Sequence, residues 1–144
     1  FLLGLLTLAQ REPKTLEIEL GKPFLLSVTT YYDNLGPRSF RSDTGTFEDL
    51  NLTIKTVEDS RCPEGEGDVV IGCYVEGEAK VTISLEGGDN FVLVKPRAIE
   101  TEQNSVVFDG YKLTLMDVTP FPTVEETASR YVEKTVHLLL EKTP

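Results

Sequence analysis

The chain has no tryptophan, a single histidine, two cysteines and only 14 basic residues against 24 acidic ones. Each scarcity removes a class of function. A formal net charge of −10 argues against nucleic acid or an anionic membrane as partner, because both demand a basic face. One distant histidine, His137, and two cysteines do not readily supply the ligands of a zinc site. The CxxC spacing of redox proteins is absent. Gly65, Gly67 and Gly72 lack the strand-to-helix context and the lysine of a phosphate-binding loop. The longest apolar run, Phe1 to Ala9, falls far short of the roughly 20 residues of a membrane-spanning helix.

What remains is an ordinary globular composition, 40% hydrophobic and 26% charged over 144 residues. That is the size of one domain, able to bury roughly two-thirds of its unfolded surface. Its apolar pattern is mostly period two. Leu16, Ile18 and Leu20 alternate with Glu17 and Glu19, and Phe24, Leu26 and Val28 with Leu25, Ser27 and Thr29. The same phase runs through Leu50, Leu52 and Ile54, through Val81, Ile83 and Leu85, and through Tyr111, Leu113 and Leu115. Such alternation marks strands with one face on a core and one in water. Gly21-Lys22-Pro23, Asn34-Leu35-Gly36-Pro37, Gly87-Gly88-Asp89-Asn90 and Asp109-Gly110 punctuate the strands with turns. Val81–Leu85 and Phe91–Val94 read as a hairpin. Val136, Leu138 and Leu140 give the segment Tyr131 to Lys142 the pattern of a closing strand, and Thr123 to Arg130 suits a short helical turn. Residues 33–46, poor in apolar side chains, read as a long loop of the kind that often carries binding function. Short strands so spaced predict an all-β, antiparallel sandwich.

Cys62 and Cys73 have ten residues between them. A disulfide closing this loop is the better reading over a pair of reduced, buried thiols. It implies an oxidising or extracellular compartment and contributes about 2–3 kcal/mol by chain entropy.

The segment Phe1-Leu2-Leu3-Gly4-Leu5-Leu6-Thr7-Leu8-Ala9 is apolar on both faces and is followed by the charged, proline-bearing stretch Gln10 to Lys14. It carries neither an initiator methionine nor a basic stretch ahead of it, so it does not read as a complete signal peptide. Thr7-Leu8-Ala9 does resemble a small-x-small cleavage site, so the tail of one is a reading. An ordered stretch of this kind must be buried on both sides. It then serves either as a strand of its own sheet or as a donor strand completing the sheet of a neighbouring subunit. Eight residues extend about 26 Å, the length of a sheet edge.

Catalytic groups are thin. His137 reads as a surface or structural histidine. Asp59 and Arg61 read as loop-fixing hydrogen-bonding groups. The pairs Glu48/Asp49, Glu58/Asp59 and Glu125/Glu126 carry no catalytic information in so acidic a chain. Glu64, Glu66 and Asp68 offer oxygen ligands for calcium between the cysteines, as Asp43 or Asp89 would equally, but a solvated acidic loop is the favoured reading. Asn51-Leu52-Thr53 is an N-glycosylation sequon with Asn51 on the solvent face.

Between Val57 and Pro122 the chain resembles a poorly characterised family of bacterial exported domains, many of them lipoproteins. The resemblance rests on Asp59-Ser60-Arg61-Cys62-Pro63, on Cys73-Tyr74 leading into Gly77-Glu78-Ala79-Lys80-Val81, and on Gly110-Tyr111 and Pro120-Phe121-Pro122. It covers under half the chain and implies export, a Cys62–Cys73 bridge and a β-sandwich, with no activity attached. Tyr74 stands where such sequences carry tryptophan, and the loop between the cysteines is longer here.

The expectation is therefore an Ig-like or jelly-roll-type antiparallel β-sandwich with one short-loop disulfide, formed by residues 13–144 behind an apolar strand and linker, 1–12. Its expected role is that of an extracellular structural subunit and not an enzyme. It polymerises with identical copies through Phe1, Leu2, Leu3, Leu5, Leu6 and Leu8, with no cofactor. A monomeric exported module, binding through the loop around Asn34 to Gly45 or the disulfide loop, is the alternative.

Overall fold

The computed structural model describes residues 13–33, 36–61, 77–96, 102–119 and 131–144. Ten strands run through them: β1 (Thr15–Glu17), β2 (Phe24–Asp33), β3 (Gly36–Ser42), β4 (Thr44–Phe47), β5 (Leu50–Asp59), β6 (Glu78–Leu85), β7 (Asn90–Pro96), β8 (Ser105–Phe108), β9 (Tyr111–Thr119) and β10 (Tyr131–Lys142). A 3-10 turn, Glu102–Asn104, precedes β8. Among the described residues no helix is long and apolar enough to cross a membrane. The all-β expectation holds throughout these residues.

The strands form two five-stranded sheets, ordered β1-β4-β5-β6-β7 and β3-β2-β10-β9-β8. Every pairing is antiparallel except β1 with β4. One buried apolar cluster takes side chains from both sheets. Leu52, Ile54, Val81, Ile83 and Leu93 come from the first, and Leu26, Val28, Leu113, Leu115, Leu138 and Leu140 from the second. All but Leu93 are positions picked out by period-two alternation, and each large aliphatic group so buried stabilises the fold by about 1.5–3 kcal/mol. The segment Tyr131–Lys142 is a strand as expected, though it lies at the centre of its sheet, between β2 and β9.

Two irregularities break the alternation. The β5–β6 register shifts between Ile54 and Thr56, and Val57 takes the buried place that strict alternation would give Thr56. The β9–β10 register shifts opposite Met116, and Val118 is buried where Asp117 would otherwise be. An extra residue in a strand reverses the phase of everything after it. Beyond the first bulge, Asp59 and Arg61 share the inward phase of Val57.

Within the stretch 33–46 expected to be a loop, residues 36–42 and 44–46 are strand. β3 and β4 form one extended run that lies in the second sheet up to Ser42 and in the first from Thr44. Low apolar content here reflects an edge strand, where Pro37 is tolerated because it need not donate to a second neighbour. The change of sheet is held at Asp43. Its carboxylate accepts the Lys14 amide at 2.8 Å and the Ser27 amide at 3.1 Å, while its own amide donates to Ser27 O at 2.9 Å. Ser42 supports it, its hydroxyl donating to Asp43 O and accepting from the Ile54 amide.

At one end of the core, aromatic rings close the gap between sheets. Phe91 stacks on Phe108 at 5.0 Å, Phe108 tilts against Tyr111, and Tyr111 meets Phe47 edge-on at 5.8 Å. The β8–β9 hairpin at this end turns through Asp109 and Gly110, with φ of 49° and 82°. Two successive positive φ angles are the signature of the type I′ turn whose twist matches paired strands. Replacing Gly110 by alanine forces a Cβ into the left-handed region, at a cost of about 1–2 kcal/mol. Urea unfolding of Gly110→Ala is expected to show that loss. Stability within 0.3 kcal/mol of the parent would be incompatible with this turn.

Candidate functional site

The N-terminal interface residues Phe1, Leu2, Leu3, Leu5, Leu6 and Leu8 lie outside the described residues, as do Cys62, Cys73, Glu64, Glu66 and Asp68. The turn proposed for Thr123 to Arg130 lies outside them too. Among the described residues no three His, Cys, Asp or Glu side chains converge on a point that would hold a metal ion. Asp43 is committed to backbone amides. Asp89 is exposed in the β6–β7 hairpin, where its carbonyl accepts from the Leu85 amide at 3.1 Å. Asn51, the second residue of β5, lies on the outward phase, and its side-chain amide donates to Glu86 Oε2 at 2.7 Å.

His137 and the Thr119 hydroxyl lie 2.8 Å apart on adjacent strands. This separation is within the range of a nucleophile and its base. Both residues lie in the β9–β10 ladder, where Thr119 is paired with Thr135 and His137 with Asp117. The contact reads as a cross-strand polar pair.

Opposite the aromatic end, the core closes with charge. Arg61 Nε donates to Asp59 Oδ1 at 2.7 Å and Nη2 to Asp59 Oδ2 at 2.6 Å, a bidentate pair. Lys134 Nζ lies 3.1 Å from the same Oδ2. Arg61 Nη2 also donates to the Val118 carbonyl at 2.7 Å, and Nη1 stands 3.8 Å from Asp117. The Arg61, Asp59 and Lys134 side chains are 0%, 3% and 2% exposed. Two cations and two carboxylates thus balance in charge where the end of β5 crosses β9 and β10. Asp59 and Arg61 are more than loop-fixing groups, because they bind one sheet to the other. Lys134 escaped notice in the sequence, yet its signal was there: it is a lysine in the inward phase of Val132, Val136 and Leu138.

The same cluster fixes the neck of the segment carrying both cysteines. Arg61 adjoins Cys62, and Ser60 holds the returning chain: its amide and hydroxyl donate to Glu78 O at 2.9 and 3.0 Å, and its Oγ accepts from the Glu78 amide at 3.2 Å. Gly77 lies so close that a Cβ there would overlap the Ser60 carbonyl. The residues flanking 62–76, Ser60 on one side and Gly77-Glu78 on the other, are therefore held together.

The N-terminal segment also starts from a fixed point. Lys14 donates its amide to Asp43 and accepts from Thr44 N at 2.9 Å, so its backbone is held on both sides at the change of sheet. This point lies on the margin bearing the edge strands β1 and β3. Across the molecule the edges are β7 and β8. The outer face of the first sheet carries a polar row in register across all five strands, Thr15, Thr44, Thr53, Ser84 and Asn90, a surface suited to water.

No family model, curated protein or solved structure matches this chain.

Removing one member of a buried, hydrogen-bonded ion cluster costs about 3–5 kcal/mol, because the partners stay buried without compensation. Asp59→Ala strands two cations and is expected to lose that much in urea unfolding. Lys134→Met leaves the Asp59–Arg61 pair intact and is expected to lose less than half as much. A loss below about 1 kcal/mol for Asp59→Ala would mean that the cluster does not hold the sheets together.

Proposed function

We propose that this chain is an exported, extracellular β-sandwich subunit of Ig-like or jelly-roll type that works by self-association and not by catalysis. Its apolar segment Phe1–Ala9 is the donor strand, and Leu2, Leu3, Leu5, Leu6 and Leu8 fill a groove in the next copy. The observation that carries this reading is the clamp at Lys14. It fixes the departure point of the segment at a margin whose adjoining edge strand, β3, contains Pro37, Arg38 and Arg41. Proline and arginine are what edge strands use to repel added strands. A stretch apolar on both faces is poorly matched to that edge of its own body, and the charged connector Gln10 to Lys14 suits a link through solvent.

The compartment follows from the family resemblance and from a Cys62–Cys73 bridge, which the clamped neck at Ser60 and Glu78 supports by keeping the loop short at its base. That same neck favours one alternative: a monomeric exported module that binds through residues 62–76. The other loop considered for that role, Asn34 to Gly45, is largely strand.

Deleting residues 1–9 separates the two readings. The donor-strand subunit is expected to form concentration-dependent oligomers as the full chain and to lose them on deletion, read by light scattering. Oligomers unchanged by deletion would refute it. A truncated chain that no longer folds would instead make the segment a strand of its own sheet. Thiol titration of the native protein in denaturant is expected to find no free thiol, and two reactive thiols would rule out the bridge.

A further inference from the structure

We infer that the edge receiving this donor strand is β8, so that copies join head to tail along the second sheet, β8 of one taking Phe1–Ala9 of the next. The inference rests on the donor-strand reading and assigns its acceptor. The four edge strands are unequally defended. β1 has three residues and lies between Lys14 and Glu19. β3 contains Pro37, Arg38 and Arg41, and β7 ends in Lys95-Pro96. β8, Ser105-Val106-Val107-Phe108, has neither charge nor proline. An uncharged, β-prone edge without proline is the kind to which another strand adds.

The backbone of β8 is oriented for that. Phe108 pairs with Tyr111 across the two-residue Asp109-Gly110 turn, so this closing pair is hydrogen-bonded and the amides alternate from it. The amides of Phe108 and Val106 face β9, and those of Val107 and Ser105 face the edge that has no partner strand among the described residues. The Val107 side chain is 63% exposed, the most of the large exposed hydrophobic side chains among the described residues. An added strand would cover it with apolar groups such as those of the leucine-rich segment.

Position selects a second copy as the source. Lys14 is clamped beside β3, and β3 and β8 are opposite edges of one sheet. Four strand spacings separate them, roughly 19 Å, so a chain's own segment would have to cross its own sheet to reach β8. A departure point on one margin and an acceptor on the other make a heterologous contact, which propagates into a filament unless its rotation closes a ring.

Three measurements on the full-length chain test this. Sedimentation velocity of Val107→Lys is expected to show assembly weakened about tenfold or more, with the circular-dichroism melt unchanged because Val107 is exposed. Hydrogen exchange, compared between concentrated and dilute wild-type protein, is expected to show protection gained at residues 105–108. A synthetic peptide of residues 1–12 is expected to compete with assembly. Competition by the peptide with protection gained at 36–42 or 90–96 instead, or with Val107→Lys assembling like wild type, overturns the assignment to β8 and leaves the donor-strand reading standing. Failure of the peptide to compete overturns both. The exchange measurement decides the matter even if Val107→Lys does not fold.

Discussion

A carboxylate held between two buried cations governs how the two sheets meet. Asp59 takes a bidentate guanidinium from Arg61 and the ammonium of Lys134, and Arg61 reaches the Val118 carbonyl of the facing sheet. Burying such groups costs several kcal/mol per ion before their attraction is counted. Apolar residues in the same places would pack as well, but without direction. The cluster is satisfied only in one geometry: β5 and β9 must each carry a bulge, β10 must present Lys134 inward, and the chain must leave β5 at Ser60. Its value therefore lies in register. It also determines where 62–76 departs, since Arg61 is the residue before that segment.

The core thus closes differently at its two ends, with rings at the β8–β9 hairpin and ions at the neck of the cysteine segment. Aromatic closure tolerates small displacements because dispersion between tilted rings is broad. Ionic closure does not, since hydrogen-bonded charges lose most of their compensation over an ångström. The ionic end adjoins residues 62–76 in sequence, and the aromatic end lies beside β8, the edge strand without charge or proline.

The margins are as unequal as the ends. One has the Asp43 clamp and the proline- and arginine-bearing β3, while the other ends in a short uncharged strand. This polarity is what an open, one-directional assembly requires. It arises because a single extended run, β3 into β4, belongs to both sheets and holds the N-terminal residues at its bend.

Much of this was legible one residue at a time. Alternation through Phe24–Val28, Leu52–Ile54, Val81–Ile83 and Leu113–Leu115 depends only on the pleat, which places successive side chains on opposite faces whatever the partner strand. The Asp109-Gly110 turn was equally plain, since few other residue pairs adopt two positive φ angles without strain. The strands of residues 36–47 were missed because an edge strand that changes sheets needs few apolar residues, and its stabilising bonds run to Lys14 and Ser27, far away in sequence. The bulges were missed for a related reason: the change of phase from Ile54 to Val57 and from Leu115 to Val118 is the mark they leave, and only the partner strand shows it to be an extra residue and not the end of a strand.

Taken alone, the amino-acid order determined the all-β class and most of the core, because pleat and turn stereochemistry are local quantities. Only the tertiary structure decided that Asp59, Arg61 and Lys134 form one cluster, that Asp43 is a structural carboxylate, and which edges are guarded. Apart from the local Asp59–Arg61 pair, the contacts behind the cluster and Asp43 join residues 16 to 75 apart, and their energy exists only once the two sheets have enclosed them.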